Sequence, residues 1–400
     1  MQKIRSFFDK SATKSVLSSL ISVLIGLVFG SLLVLIVSFA SGEITLKSGI
    51  EGVKLVFFGV FCKGREAGEL VFGLNTQYLG DLLFRATPLI LTGLSVSVAF
   101  KTGLFNIGAP GQYLMGTAAT LYIALSVPTG VVPAWIVWIL AFLGGVLAGA
   151  LWGAIPGVLK ATLNINEVIA CIMTNWIAAN VVTWIFENSA LRNSSEASGG
   201  KIGYIKKTID NGVATPKLGL DKLLPGSQVN AGIIIAIAIA VFVYIVMTKT
   251  TFGYQLKACG SNRFAAKYAG IADKRNIVLS MAIAGGLSGA AAALYYLSGN
   301  TEFFWSTYQS LPAVGFNGIP VALLAVNHPI GVIFAGLFMS MLNISGTALK
   351  YLTPYNEYIT DIIIASIVYL SAFSLMIKMW LGKKKKPLPE LKTAKKEETV

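Results

Sequence analysis

Gly103-Leu-Phe-Asn-Ile-Gly-Ala-Pro-Gly-Gln112 lies between two long apolar runs, where a continuous membrane helix would be expected. These ten residues hold three glycines, one proline and two amide side chains. Glycine and proline weaken a helical backbone ladder, and Asn106 and Gln112 need hydrogen-bond partners. Irregular polar backbone at membrane depth persists only where protein buries it or where it lines a water-filled cavity. The stretch therefore reads as the lining of a pathway rather than as a lipid-facing helix.

Composition supports the membrane setting. Of 400 residues, 55% are hydrophobic and 12% are charged, against about 25% charged in soluble domains. Apolar runs of more than about 18 residues argue for helical spans. The alternating segments of about ten residues that mark a β-barrel are absent. The net charge of +14 reads as basic loops that orient the chain and face anionic membrane lipid. No basic–aromatic module accompanies the charge, so nucleic-acid binding is set aside. Cys62, Cys171 and Cys259 form no Cys-x-x-Cys pair. On the topology below they fall outside, within and inside the membrane, which argues against a disulfide. His328 stands alone in Asn327-His328-Pro329, a turn, and offers no metal cluster.

The resulting fold class is all-α: a polytopic helical membrane protein of about ten transmembrane helices. Residues 1–15 form a basic N-terminal tail, 16–380 the transmembrane region, and 381–400 a charged tail. Spans are expected at 16–40, 82–100, 104–127, 133–159, 167–186, 231–247, 277–298, 313–326, 330–349 and 359–373. Residues 52–61 are apolar but short, which suits a surface or re-entrant helix. Gly144, Gly145, Gly149 and Gly153 on the fourth span favour close helix packing. Residues 187–230 form a long polar loop, and 301–310 an aromatic loop that reads as an interfacial belt or an outer gate. An even number of spans puts both termini on one side. Segments on that side carry 20 of the 32 basic residues, which assigns it to the cytoplasm.

Phe105-Asn106-Ile107-Gly108 has an echo in Phe316-Asn317-Gly318-Ile319. The first opens span three and the second lies near the start of span eight. Two blocks of five spans fit this placement, and an odd number per block turns the second block upside down. Inverted repeats whose broken segments meet near mid-membrane are one way to build a transport site.

A second unusual segment runs from Gly253 to Ile271. Ser261 is placed to cap a short helix and Gly270 to end it. That helix carries Phe264, Ala265 and Tyr268 on one side, beside Arg263 and Lys267. It suits either a groove on a soluble partner or the lipid surface.

Three stretches in order resemble the branched-chain amino acid, simple sugar and nucleoside permease family of ABC importers. They are Gly103–Gln112, the loop from Gly260-Ser-Asn262 to Ala269-Gly-Ile271, and Gly315-Phe-Asn-Gly-Ile-Pro-Val-Ala-Leu-Leu324. The likeness covers roughly residues 80–380 and is greatest to permeases of bacterial nucleoside uptake systems. That family more often has Glu where Pro110 stands, and no role is assigned to Pro110. The resemblance implies an importer in the bacterial plasma membrane with cytoplasmic termini. It implies a separate ABC ATPase subunit docked on the 253–271 coupling loop through Gly260, Asn262, Arg263, Ala265, Ala266 and Gly270. It also implies a second homologous permease as heterodimer partner, and an extracytoplasmic substrate-binding lipoprotein. No Gly-x-x-x-x-Gly-Lys-Ser/Thr phosphate loop occurs in the chain. ATP use is therefore expected in the partner, with no cofactor bound here and no enzymatic role for this chain.

The pathway candidates are Phe105, Asn106, Gln112, Trp176, Phe316 and Asn317. They offer amides and ring faces without fixed charge, which suits a neutral nucleoside or a simple sugar such as ribose or galactose. The same residues could instead serve to hold helices together. A stand-alone ion-coupled carrier usually keeps ionisable residues inside its spans. Here Glu167, Asp361 and Arg85 lie near span ends. Paired carboxylates, a metal cluster and a nucleophile–base set are all missing, which argues against a membrane enzyme.

Overall fold

The structure is a computed structural model that describes residues 11–41, 45–187, 189–193, 203–305, 311–355 and 358–371. The charged tail at 381–400 and part of the aromatic loop at 301–310 lie outside the described residues. The helices run in the order α1 (Ser11–Ser41), α2 (Leu46–Phe58), α3 (Thr76–Lys101), α4 (Ala109–Ser126), α5 (Ala134–Leu163), α6 (Glu167–Glu187), α7 (Leu220–Leu223), α8 (Gly232–Lys249), α9 (Thr251–Ser261), α10 (Arg263–Tyr268), α11 (Asp273–Tyr296), α12 (Ala313–Leu324), α13 (Pro329–Leu352) and α14 (Tyr358–Ser371).

Six of these are long and apolar enough to cross a membrane: α3, α5, α6, α8, α11 and α13. The expectation of ten spans is met only in part by this measure. α12 is too short, at 12 residues, and α14 is described over 14. Within α1 the apolar stretch measured is Leu24–Phe39.

α3 and α11 form the centre, with most of their lengths buried in the protein. They pack against each other; α3 also packs on α12 and α13, and α11 on α4 and α5. Small residues permit the tightest contacts. An added Cβ at Gly153 would meet the Gly285 Cα at 2.9 Å, and one at Gly116 would meet the Gly289 Cα at 2.6 Å. Gly149 likewise faces Gly285 and Gly289 with no room for a side chain, and the Gly145 carbonyl blocks a Cβ on Gly289. The α5 glycines therefore do what their spacing suggests, bringing two backbones together. Gly144 differs and faces Ile123.

Two features went unread in the sequence. α3 begins at Thr76, six residues ahead of the expected span, because Asn75 caps it by accepting from the Tyr78 N–H at 3.0 Å. Between α2 and α3, strands β1 (Cys62–Glu66) and β2 (Glu69–Phe72) form an antiparallel hairpin. Arg65 pairs with the buried Glu51 and donates to the Leu352 carbonyl at 2.8 Å, tying the hairpin to the end of α13. On the same end of the bundle, strand β3 (Tyr204–Ile205) from the long loop pairs with β4 (Phe303–Phe304). All three cysteines are buried and free.

Candidate translocation site

The opening stretch breaks the chain between α3 and α4. Gly103 adopts φ +76°, a left-handed conformation that glycine takes without strain, and ends α3. The Leu104 N–H donates back to the Ala99 carbonyl at 3.0 Å, folding the chain under the helix end. α4 then starts at Ala109 with Pro110 in its first turn, where the missing N–H costs nothing. Its N-cap, Gly108, has no side chain to satisfy the exposed backbone donors.

Two asparagines supply what Gly108 lacks. The Gly108 N–H donates to Asn106 Oδ1 at 3.1 Å, and the Gly111 N–H donates to Asn175 Oδ1 of α6 at 2.9 Å. Asn175 Nδ2 in turn donates to the Ile107 carbonyl at 3.0 Å. Asn106 and Gln112 bond reciprocally: Asn106 Nδ2 to Gln112 Oε1 at 2.8 Å, and Gln112 Nε2 to Asn106 Oδ1 at 3.0 Å. Asn106 Nδ2 also donates to Ser95 Oγ at 3.1 Å, and Ser288 Oγ of α11 donates to Ser95 Oγ at 2.9 Å. Asn106 is wholly buried and Gln112 nearly so. Their amides are committed to one another and to the break in the chain, so they build the local geometry.

The echo segment sits directly against this break. An added Cβ at Gly315 would meet the Pro110 Cα at 2.5 Å, and one at Gly318 would meet the Thr92 carbonyl carbon at 2.6 Å. α12 thus lies across the start of α4 and the middle of α3. Pro110 acquires a role that the sequence left blank: its ring and backbone form the floor on which Gly315 rests. Phe316 and Trp176 each follow a residue that touches the start of α4, and both are exposed, at 36% and 44%. Asn317 is half-buried and forms no side-chain hydrogen bond among the described residues. Phe105 is half-buried and packs on Phe100, with ring centroids 5.2 Å apart.

The 253–271 segment is built of α9 and α10. Asn262, rather than Ser261, caps α10, its side chain accepting from the Ala265 N–H at 3.0 Å. Ser261 instead closes α9. Gly270 ends the second helix at φ +78°. Arg263 Nε donates to Asp273 Oδ2 at 2.6 Å, which fastens α10 to the start of α11. Ala266 is buried, Ala265 is exposed, and Phe264 and Tyr268 project outward at 77% and 95% exposure. Gly260 faces inward against the opening stretch: an added Cβ there would meet the Gly103 nitrogen at 2.8 Å.

The family model described as branched-chain amino acid transport system / permease component matches residues 78–372. The chain belongs to this family. The permease is 34% identical over 369 residues to the guanosine ABC transporter permease protein NupP of Bacillus subtilis, covering 92% of this chain and 96% of the relative. It is 35% identical over 380 residues to the nucleoside ABC transporter permease protein NupB of Lactococcus lactis, covering 94% and 96%. The glucose ABC transporter permease protein TsgB13 of Haloferax volcanii is 32% identical over 339 residues, covering 83% and 86%.

Sequence reasoning singled out both motifs that meet at the chain break but missed the residues that join them. Ser95, Asn175 and Ser288 are ordinary polar residues within apolar runs. Their spacing carries no signal, since each meets its partner only in the folded bundle. The contacts of Gly260 with Gly103 and of Gly315 with Pro110 were equally unreadable, although all four residues stand in the motifs that carry the family likeness.

Proposed function

We propose that the permease is the membrane-spanning subunit of an ABC importer that carries nucleosides across the bacterial plasma membrane. The observation that carries this reading is an uncharged site. The exposed ring of Phe316 and the unengaged amide of Asn317 lie on the helix that crosses the start of α4, next to the chain break. Trp176 flanks the same break from α6. Rings stack on a base, and an amide pairs with a base edge or a sugar hydroxyl. Phe105, Asn106 and Gln112 belong to the same pathway as the residues that shape it. The names of the NupP and NupB relatives favour nucleosides; that of TsgB13 keeps a simple sugar as the second reading.

The pattern of contacts favours two inverted repeats. α3 packs on α12 and α13 as α11 packs on α4 and α5, and α3 and α11 meet each other. This is the arrangement expected if α3–α6 and α11–α14 are corresponding units related by a two-fold axis in the membrane. On this reading α9 and α10 form the cytoplasmic coupling loop, both termini are cytoplasmic, and a separate ATPase subunit docks on Phe264 and Tyr268. A second permease and a substrate-binding lipoprotein complete the importer. The ion-coupled alternative is less well supported, because Glu167 is already paired with Lys160 at 2.9 Å.

Uptake of labelled nucleoside by cells that carry or lack the partner ATPase tests the proposal. Concentrative uptake that vanishes without the ATPase is expected; uptake that persists would overturn it.

A further inference from the structure

A cavity of about 140 Å³ opens where the end of α3 meets α8, α9 and the turn between α12 and α13. Its walls are mostly apolar, and Ser97, Lys101, Thr248, Lys257, Asn327 and His328 are the polar residues among those that line it. We propose that this cavity binds a phosphate group, either the headgroup of an anionic lipid or free phosphate.

Three observations point to an anion. Ser97 is 1% exposed, yet its hydroxyl has no hydrogen-bond partner. Serine and threonine in a buried helix usually bond the carbonyl four residues back, as Thr87 and Thr92 do in this same helix. Ser97 does not, although it is one of the residues that line the cavity. Asn327 Oδ1 is likewise buried without a partner, and a half-turn of the amide brings its N–H donors to the same place. Lys101 and Lys257 stand at the rim. Neither forms an ion pair among the described residues, and no carboxylate lines the cavity. Two uncompensated ammonium groups beside buried donors leave a positive recess that a phosphate group would neutralise.

The turn is shaped for this task. Val326 and Asn327 take φ of +50° and +54°, a costly conformation for a β-branched residue, and hand the chain to His328, which caps α13. The first turn of α13 adds its backbone dipole to the recess. Because α9 leads directly to Gly260, an occupied cavity ties the first helix of the 253–271 segment to the end of α3.

The test uses the purified full-length permease. Native mass spectrometry measures retention of phosphatidylglycerol against phosphatidylcholine, and equilibrium dialysis measures binding of labelled inorganic phosphate. A preference of about tenfold for the anionic lipid, or saturable phosphate binding at one site, is expected. The former assigns the cavity to a lipid headgroup, the latter to free phosphate. The double variant K101Q/K257Q should weaken either signal by about tenfold, Ser97→Ala by a few-fold, and K101R/K257R should keep it. Absence of both signals overturns the proposal, as does a signal that K101Q/K257Q leaves unchanged. Should the glutamine pair fail to fold, Ser97→Ala decides, and unchanged affinity in that variant overturns it.

Discussion

Pro110 and Gly315 are in direct contact, so the two stretches with matching sequence meet where both helices begin. An added Cβ at Gly315 would reach the Pro110 Cα at 2.5 Å and its ring Cγ at 2.8 Å. The nearest atom belongs to the backbone, which does not swing aside as a flexible side chain would. α4 and α12 therefore cross at a fixed separation, and Phe316 and Asn317 are presented from that crossing.

Gly315→Val should separate the two helices. Overpacking at such a point costs about 1–3 kcal/mol, and we expect nucleoside uptake to fall about tenfold or more. Adding Pro110→Ala should not restore it, since the obstructing Cα remains. Full recovery in the double variant would show that the ring, and not the backbone crossing, sets the separation.

Asn106 and Asn317 occupy matching places in their motifs but should behave differently. Asn106→Leu strips partners from the buried Gln112 amide and the Gly108 N–H, which should lower stability by about 2–3 kcal/mol. Asn317→Ala breaks no hydrogen bond among the described residues and should leave the melting temperature unchanged. It should instead raise the KM for uptake about tenfold, equivalent to about 1.4 kcal/mol. Thermal unfolding in detergent together with an uptake titration separates the two; a destabilised Asn317→Ala with normal KM would remove that residue from the substrate's path.

The Arg263–Asp273 pair fastens α10 to α11. Arg263→Glu places two carboxylates side by side and should reduce both co-purification of the ATPase subunit and uptake. The exchanged pair, Arg263→Asp with Asp273→Arg, should recover most of both, because the contact is a charge-assisted hydrogen bond between neighbouring elements. No recovery would mean that Arg263 acts on the partner rather than on Asp273.

Particular residues show how far the sequence could be read. The glycine stripe of α5 and the apolar runs of α3, α6, α8, α11 and α13 were legible because close packing, burial in the bundle (α3, α11, α13) or exposure to lipid (α6, α8) imposes them directly. Pro110 and Gln112 marked an irregular segment, and Gly270 marked a helix end. The hairpin at Cys62–Phe72 escaped notice because its turn, with Ala67 and Gly68 at positive φ, lies in a polar stretch without alternation. Ser261 and Asn262 are both good capping residues, and only the observed bond to the Ala265 N–H decides between them. Asn175 looked no different from any other polar residue in a span, because its value to α4 depends on how α6 packs.

The central relationship is that of Gly260 to Gly103, where the 253–271 segment touches the chain break. Gly260→Ala requires no unusual backbone angle, so its effect should be steric alone. The direct measurement is nucleoside uptake and ATP hydrolysis in the same reconstituted importer. The wild-type importer should couple the two, whereas Gly260→Ala should assemble and hydrolyse ATP while uptake per ATP falls about tenfold. Unchanged uptake per ATP in that variant would contradict the account.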